Sequence, residues 1–157
     1  MTKQTSPLLS RRGALALTAG AVAMLAFPTF SLAKDLVSKT NKGVAIKGYD
    51  TTAYFKTGAF GKGSKKSVVE WKGAKWQFAT AEEAALFEAN PTAFAPQFGG
   101  FCTRAMSFGS VVNSNPKVWR IYENKLYLFA APKGGKFFDK GQDKMIKKAQ
   151  ANWDLKS

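Results

Sequence analysis

Two segments of the chain group their apolar side chains in a way that is typical of β-hairpins. Residues 68–71 and 75–78 are rich in valine and aromatic side chains and flank a short turn that contains a glycine. Residues 118–122 and 125–129 are separated by two residues, and apolar and polar side chains alternate along the first of these runs. This pattern predicts two hairpins, each closed by a tight turn.

Apolar positions at helical spacing predict the remaining elements. Thr80 is a suitable cap for a helix over 80–90, Pro91 breaks that helix, and one further turn follows at 92–95. A last helix is predicted over 139–153, where apolar side chains lie on one side and lysines on the other. We take this lysine face to be exposed to solvent. The fold class predicted is a small single-domain α+β protein, with an antiparallel sheet built from two hairpins and packed by about three helices.

The first 33 residues follow a different pattern, which predicts a cleavable signal peptide. A basic start ends at Arg11 and Arg12, an apolar run covers 13–27, and Ser31-Leu32-Ala33 matches the small-x-small pattern of a signal peptidase site. The paired arginines indicate twin-arginine translocation, and the general export route stays open because two later positions depart from the usual pattern. We expect cleavage after about Ala33 and a periplasmic location.

Removal of residues 1–33 leaves 124 residues, which is enough for one domain and too few for two ordinary ones. The polar composition of 34–43 predicts a flexible tether, and the folded domain is predicted over 44–153. The removed segment holds three of the 24 basic residues and none of the 10 acidic ones, so the mature chain carries a net charge of +11. Such a charge favours an anionic protein or a membrane surface as partner, unless it only keeps a monomeric protein soluble. Nucleic acid is not expected outside the cytoplasm.

The chain has no histidine, and Cys102 is its one cysteine. These counts exclude an intramolecular disulfide, histidine-ligated metal sites, and Ser-His or Cys-His nucleophile pairs. The acidic residues are scattered, so no pair of carboxylates suited to hydrolysis is apparent. We therefore expect no enzyme activity.

The segment 96–106 is the one whose residues are hardest to explain by packing alone. Gly99 and Gly100 permit positive φ angles and could place Cys102 in the first turn of a short helix. Met106 lies four residues later on the same helical face, and a thiolate with a thioether would suit Cu(I). The alternative is that Cys102 is a small buried hydrophobe and Met106 fills the core.

Three polar or aromatic residues near the start of the domain are further candidates. They are Tyr49, Asp50 and Tyr54, which could line a pocket together with Cys102 and with Gly99 and Gly100. Capping explains Asp50 equally well, because it precedes a short helix predicted over 51–55, and packing explains the two tyrosines.

Motifs spread over residues 44–153 resemble those of the exported YHS domain proteins. The most specific segment is Ala95-Pro96-Gln97-Phe98-Gly99-Gly100-Phe101-Cys102, and shorter matches precede and follow it: Gly48-Tyr49-Asp50, Trp71-x-Gly73-x-x-Trp76, Lys125-Leu126-Tyr127-Leu128 and Ala151-Asn152-Trp153. The resemblance implies metal association, with Cys102 as the natural ligand. The chain departs from the family in lacking histidine.

Three functions follow from these observations. The first is an exported binding module that holds a soft metal ion such as copper, as Cu(I), through Cys102 with Met106 assisting. The second is a basic structural or partner-binding domain without a metal. The third is a thiol-dependent redox protein, which lacks a base or a second cysteine to activate Cys102.

Overall fold

The computed structural model describes residues 35–157, and the predicted signal peptide with Arg11, Arg12 and Ala33 lies outside them. Residues Leu32–Ser157 belong to one compact unit. The described residues form an α+β fold of two hairpins and six helices. In chain order the elements are α1 Ala53–Lys56, β1 Ser64–Trp71, β2 Ala74–Phe78, α2 Ala81–Ala89, α3 Pro91–Phe94, α4 Thr103–Met106, β3 Asn115–Tyr122, β4 Lys125–Phe129, α5 Pro132–Phe138 and α6 Gln142–Asp154.

Both predicted hairpins are confirmed. Trp71 pairs with Ala74 and Tyr122 pairs with Lys125, so each loop has two residues. All four loop residues have φ between +49° and +62°, which is the backbone of a type I′ turn and matches the twist of the flanking strands. Within residues 35–157 the hairpins form two separate two-stranded sheets rather than the one sheet predicted.

The side chains of β4 connect two hydrophobic clusters. Leu126 and Leu128 are buried in the first cluster, which is centred on Trp76, while Tyr127 and Phe129 are buried in the second. Alternate residues of a strand point to opposite faces, so β4 is covered on both faces. Its nearly continuous apolar sequence is the pattern expected of a strand in this position.

The segment predicted as a flexible tether over 34–43 is packed where the structure describes it. Val37 and Ser38 are buried. The Ser38 amide donates to the Gly99 carbonyl at 2.8 Å, and the Ile46 amide donates to the Ser38 carbonyl at 2.9 Å. The prediction was wrong because a few backbone hydrogen bonds and one apolar anchor are enough to order a polar segment. The folded region therefore begins before residue 44.

The helices agree with the predictions in part. α2 and α3 lie where they were expected, and α6 begins at Gln142, three residues later than predicted. α5 was not predicted, because Gly134 and Gly135 are poor helix formers in isolation. Both are buried, and an added Cβ would come within 3.2 Å of Phe129 and Arg120. No helix among residues 35–157 is both long enough and apolar enough to cross a membrane.

Candidate functional site

Cys102 is the N-cap of α4, one residue before the first-turn position predicted for it. Its Sγ accepts a hydrogen bond from the Ala105 amide at 3.5 Å, and its carbonyl accepts from the Met106 amide at 2.9 Å. The Cys102 amide donates to the Val112 carbonyl at 2.8 Å. The sulfur therefore caps its own helix.

The structure places Cys102 and Met106 in the second hydrophobic cluster. The cysteine is 5% exposed and the methionine is fully buried, with Phe98, Phe101 and Phe138 in the same cluster. Neither Cys102 nor Met106 lines the cleft beside Gly99 or the cleft beside Arg104. Within residues 35–157 no three His, Cys, Asp or Glu side chains are grouped as metal ligands. Binding of Cu(I) by Cys102 and Met106 stays a prediction from their residue types, and metal association stays a prediction from the resemblance.

The predicted pocket of Tyr49, Asp50 and Tyr54 with Cys102 is not formed. Tyr54 is buried in the first cluster, while Cys102 belongs to the second. The Tyr54 hydroxyl donates to the Pro116 carbonyl at 2.8 Å, and burial raises the pKa of this phenol, with smaller effects from Tyr49 and Asp50.

Asp50 holds local structure instead of facing a ligand. One carboxylate oxygen accepts from the Thr52 amide at 2.9 Å and from the Thr52 hydroxyl at 2.7 Å. The other accepts from the Ala79 amide at 2.8 Å, which links the turn before α1 to the end of β2. Tyr49 is half-buried beneath the Lys62 ammonium, 4.2 Å from its ring centre. Asp50 therefore caps backbone amides, and Tyr49 packs against a lysine side chain.

Gly99 and Gly100 have the positive φ angles predicted, +58° and +79°. A Cβ on Gly99 would collide with the Leu36 carbonyl oxygen, and one on Gly100 would collide with the Ile46 side chain. The absence of a side chain at these two positions therefore lets Leu36 and Ile46 pack closely against the backbone. Gly99 also lines a cleft of about 410 Å³ beside Trp71 and Trp153, whereas Gly100 is buried.

A second cleft is lined mainly by basic and aromatic side chains. We call it the basic groove: it lies between α4 and the α5–α6 segment, has a volume of about 340 Å³, and is lined by Arg104, Ser107, Phe108, Phe137, Lys140, Gly141, Lys144, Met145 and Lys148. Lys144 and Lys148 are one helical turn apart on α6, and Lys140 precedes Lys144 by four residues. Helical spacing places Lys144 and Lys148 on one face of α6, and Lys140 lies in the turn before the helix.

The electrostatics of the basic groove are one-sided. No acidic residue lines it. Within the described part of the chain, none of its four cationic side chains forms an ion pair. The nearby carboxylates are engaged elsewhere: Asp139 bonds the Arg120 guanidinium through both oxygens at 2.7 Å, and Asp143 accepts from the Tyr122 hydroxyl at 2.9 Å. The lining of the groove therefore carries four positive charges, none of them in a direct ion pair.

Aromatic rings complete the groove walls. The Arg104 guanidinium lies 3.8 Å from the centre of the Phe137 ring and 5.8 Å from that of Phe108. Phe108 is 71% exposed. The sequence reasoning missed this combination because the lysine face of α6 has no aromatics interleaved in sequence. The rings come from α5 and from the loop after α4, and only the fold brings them to the lysines.

No protein-family model matches the chain, and no curated protein or solved structure matches it. The resemblance to the YHS domain proteins therefore stays a prediction from the motifs.

Proposed function

We propose that the mature chain is an exported, non-catalytic binding module that holds an anionic partner in the basic groove. The observation that carries the proposal is the gathering of Arg104, Lys140, Lys144 and Lys148 around one concavity that no acidic residue lines. Export to the periplasm rests on the signal-peptide pattern of residues 1–33.

The groove supports binding better than the net charge alone does. Charges of one sign that line a cleft with apolar walls focus the local potential and attract oppositely charged groups. Phe108 and Phe137 supply such walls, and the Arg104 guanidinium can form paired hydrogen bonds with a carboxylate or phosphate. A dispersed basic surface has neither feature.

The non-catalytic part of the proposal rests on Cys102. A nucleophilic thiol has to be reachable, and Cys102 is buried in a cluster with several phenylalanines. The burial favours the second of the three functions considered, a partner-binding domain without a metal.

Binding to fluorescein-labelled poly-L-glutamate, followed by fluorescence anisotropy, tests the proposal. We expect salt-sensitive binding to the compact unit Leu32–Ser157, because the attraction is screened by ions. Replacement of Lys140, Lys144 and Lys148 by glutamine should weaken binding by about tenfold or more, since these charges act together at one site.

The matched control removes the same charge elsewhere, with glutamine at the exposed residues Lys42, Lys65 and Lys125. We expect this control to weaken binding by no more than about threefold, because it changes only the overall charge. Equal losses in the two triple variants would show that the net charge, and not the groove, attracts the anion.

A further inference from the structure

Of the two most exposed large apolar side chains of residues 35–157, one lines the basic groove and the other caps the helix that carries two of the groove lysines. Leu155 is 84% exposed and Phe108 is 71% exposed, whereas the other exposed large hydrophobic residues reach at most 46%. Val111 and Val112, on the same loop as Phe108, are 46% and 42% exposed. A solvated basic face does not explain why these side chains are left in water.

Helical spacing places Leu155 with the lysines. It follows Lys144 by eleven residues and Lys148 by seven, and both separations return to nearly the same side of an α-helix. Leu155 directly follows the last residue of α6 and keeps a helical backbone. One face therefore presents two ammonium groups and then a protruding leucine.

The loop that carries Phe108 lies against the same helix. Phe108 lines the groove with Lys144 and Lys148, and a Cβ on Gly109 would lie 3.4 Å from the Asn152 side chain. Asn152 follows Lys148 by one turn. Phe108 therefore lies beside Lys144 and Lys148, and Leu155 lies beyond them at the C-terminal end of α6.

Protruding apolar groups beside a row of lysines are the combination that holds proteins at the surface of an anionic bilayer. The apolar side chains enter the boundary between headgroups and acyl chains, and the ammonium groups remain among the phosphates. Lysines near such a surface add attraction individually, while each apolar contact alone is weak. Isolated charge or isolated apolar exposure would not give stable docking.

On the basis of the proposed function, we infer that its anionic partner is a phospholipid surface, with Phe108 and Leu155 as the inserted anchors. A protein partner is expected to cover a continuous apolar patch of matching shape, whereas the two separate side chains Phe108 and Leu155 can enter a fluid headgroup region without one.

Co-sedimentation with vesicles tests the inference in the compact unit Leu32–Ser157. The vesicles contain phosphatidylcholine with about 30% phosphatidylglycerol, or phosphatidylcholine alone. We expect binding to the anionic vesicles only. The variant Phe108→Ser with Leu155→Ser should bind them about tenfold less well or worse. Leu155→Ser alone leaves the groove lining intact and should keep its affinity for poly-L-glutamate. Each single substitution is measured as well, and thermal unfolding verifies that each variant is folded.

The matched control is Phe60→Ser with Leu86→Ser, which removes the same two residue types from exposed positions outside the groove. It should bind vesicles as the unchanged protein does. Binding to poly-L-glutamate without binding to vesicles would overturn the lipid inference, leave the proposed function standing and indicate a soluble acidic partner. Equal losses in the two double variants would also overturn it. Failure to bind either probe would remove both proposals.

Discussion

At the scale of single residues, Gly99 decides how the N-terminal segment joins the core. Its φ is +58°, and the position where a Cβ would stand is taken by the Leu36 carbonyl oxygen. Its own carbonyl accepts the Ser38 amide. Two constraints therefore coincide at this position, one from backbone conformation and one from space.

We expect Gly99→Ala to lower the free energy of unfolding by about 3 kcal/mol, because it adds a backbone clash to the cost of a positive φ. Gly58→Ala is the control, since Gly58 has a φ of +64° and open space around it. The control should lose about 1 kcal/mol, the conformational cost alone. Urea unfolding measures both, and similar losses would show that the segment near Leu36 moves aside at little cost.

Cys102 shows the limit of interpreting a residue type without its surroundings. The sequence predicted a position near the start of a short helix, and this is nearly where the residue lies. The same sequence left open whether its sulfur was a ligand or a buried group. The decision depends on the cluster around it, in which the neighbouring Phe98 and Phe101 are joined by Phe129 and Phe138 from later elements of the chain.

At the scale of elements, α2 illustrates a helix whose start is specified by its own residues. The Thr80 hydroxyl accepts from the Glu83 amide at 3.3 Å, and the Glu83 carboxylate accepts from the Thr80 amide at 3.1 Å. This reciprocal capping box satisfies two backbone donors that the first turn would leave free. Lys56 donates to the same carboxylate at 3.0 Å and holds the pKa of Glu83 below its usual value.

Thr80→Ala should reduce the free energy of unfolding by about 1 kcal/mol, because it removes the cap of α2. Thr92→Ala serves as the comparison, since the exposed Thr92 hydroxyl bonds only the Asn90 side chain. That substitution should change stability by less than about 0.5 kcal/mol. If thermal or urea unfolding finds the two variants alike, the capping box does not stabilise α2 in solution.

At the scale of the whole molecule, Arg120 and Asp139 tie β3 to the α5–α6 segment. Their two hydrogen bonds, both 2.7 Å, give a paired geometry, although the side chains are about 40% exposed. The Arg120 guanidinium lowers the pKa of Asp139 below its usual value. The same contact pairs Asp139 with an arginine that does not line the basic groove.

The Arg120–Asp139 ion pair should stabilise the fold in a pH-dependent way, because the pKa of Asp139 is lower in the folded protein than in the unfolded chain. Its contribution to stability is present above the unfolded-state pKa of about 3.9 and is lost as the pH falls through the folded-state pKa. Asp139→Asn should therefore cost about 0.5 kcal/mol at pH 7, the magnitude of an exposed pair. The difference from the unchanged protein should shrink towards zero near pH 2. Asp154→Asn, which lacks an ion pair within the described residues, should show no such pH-dependent gap. A gap that persists in acid would contradict the role given to the ion pair.

The sequence by itself determined the local structure of this protein. Hairpin turns, the capping box of α2 and the amphipathic face of α6 depend on residues close together in the chain, so their signals are present in short windows. The same short windows missed α5, whose glycines are accepted only because Phe129 and Arg120 lie against them.

Only the tertiary structure decided which of these features meet. It sealed Cys102 and Met106 among aromatic rings, ordered a polar segment against Gly99, and buried both faces of β4. It also brought Phe108, Phe137 and the lysines of α6 to one groove. Burial and charge at a point depend on every chain segment that reaches it, and most of those segments are distant in sequence.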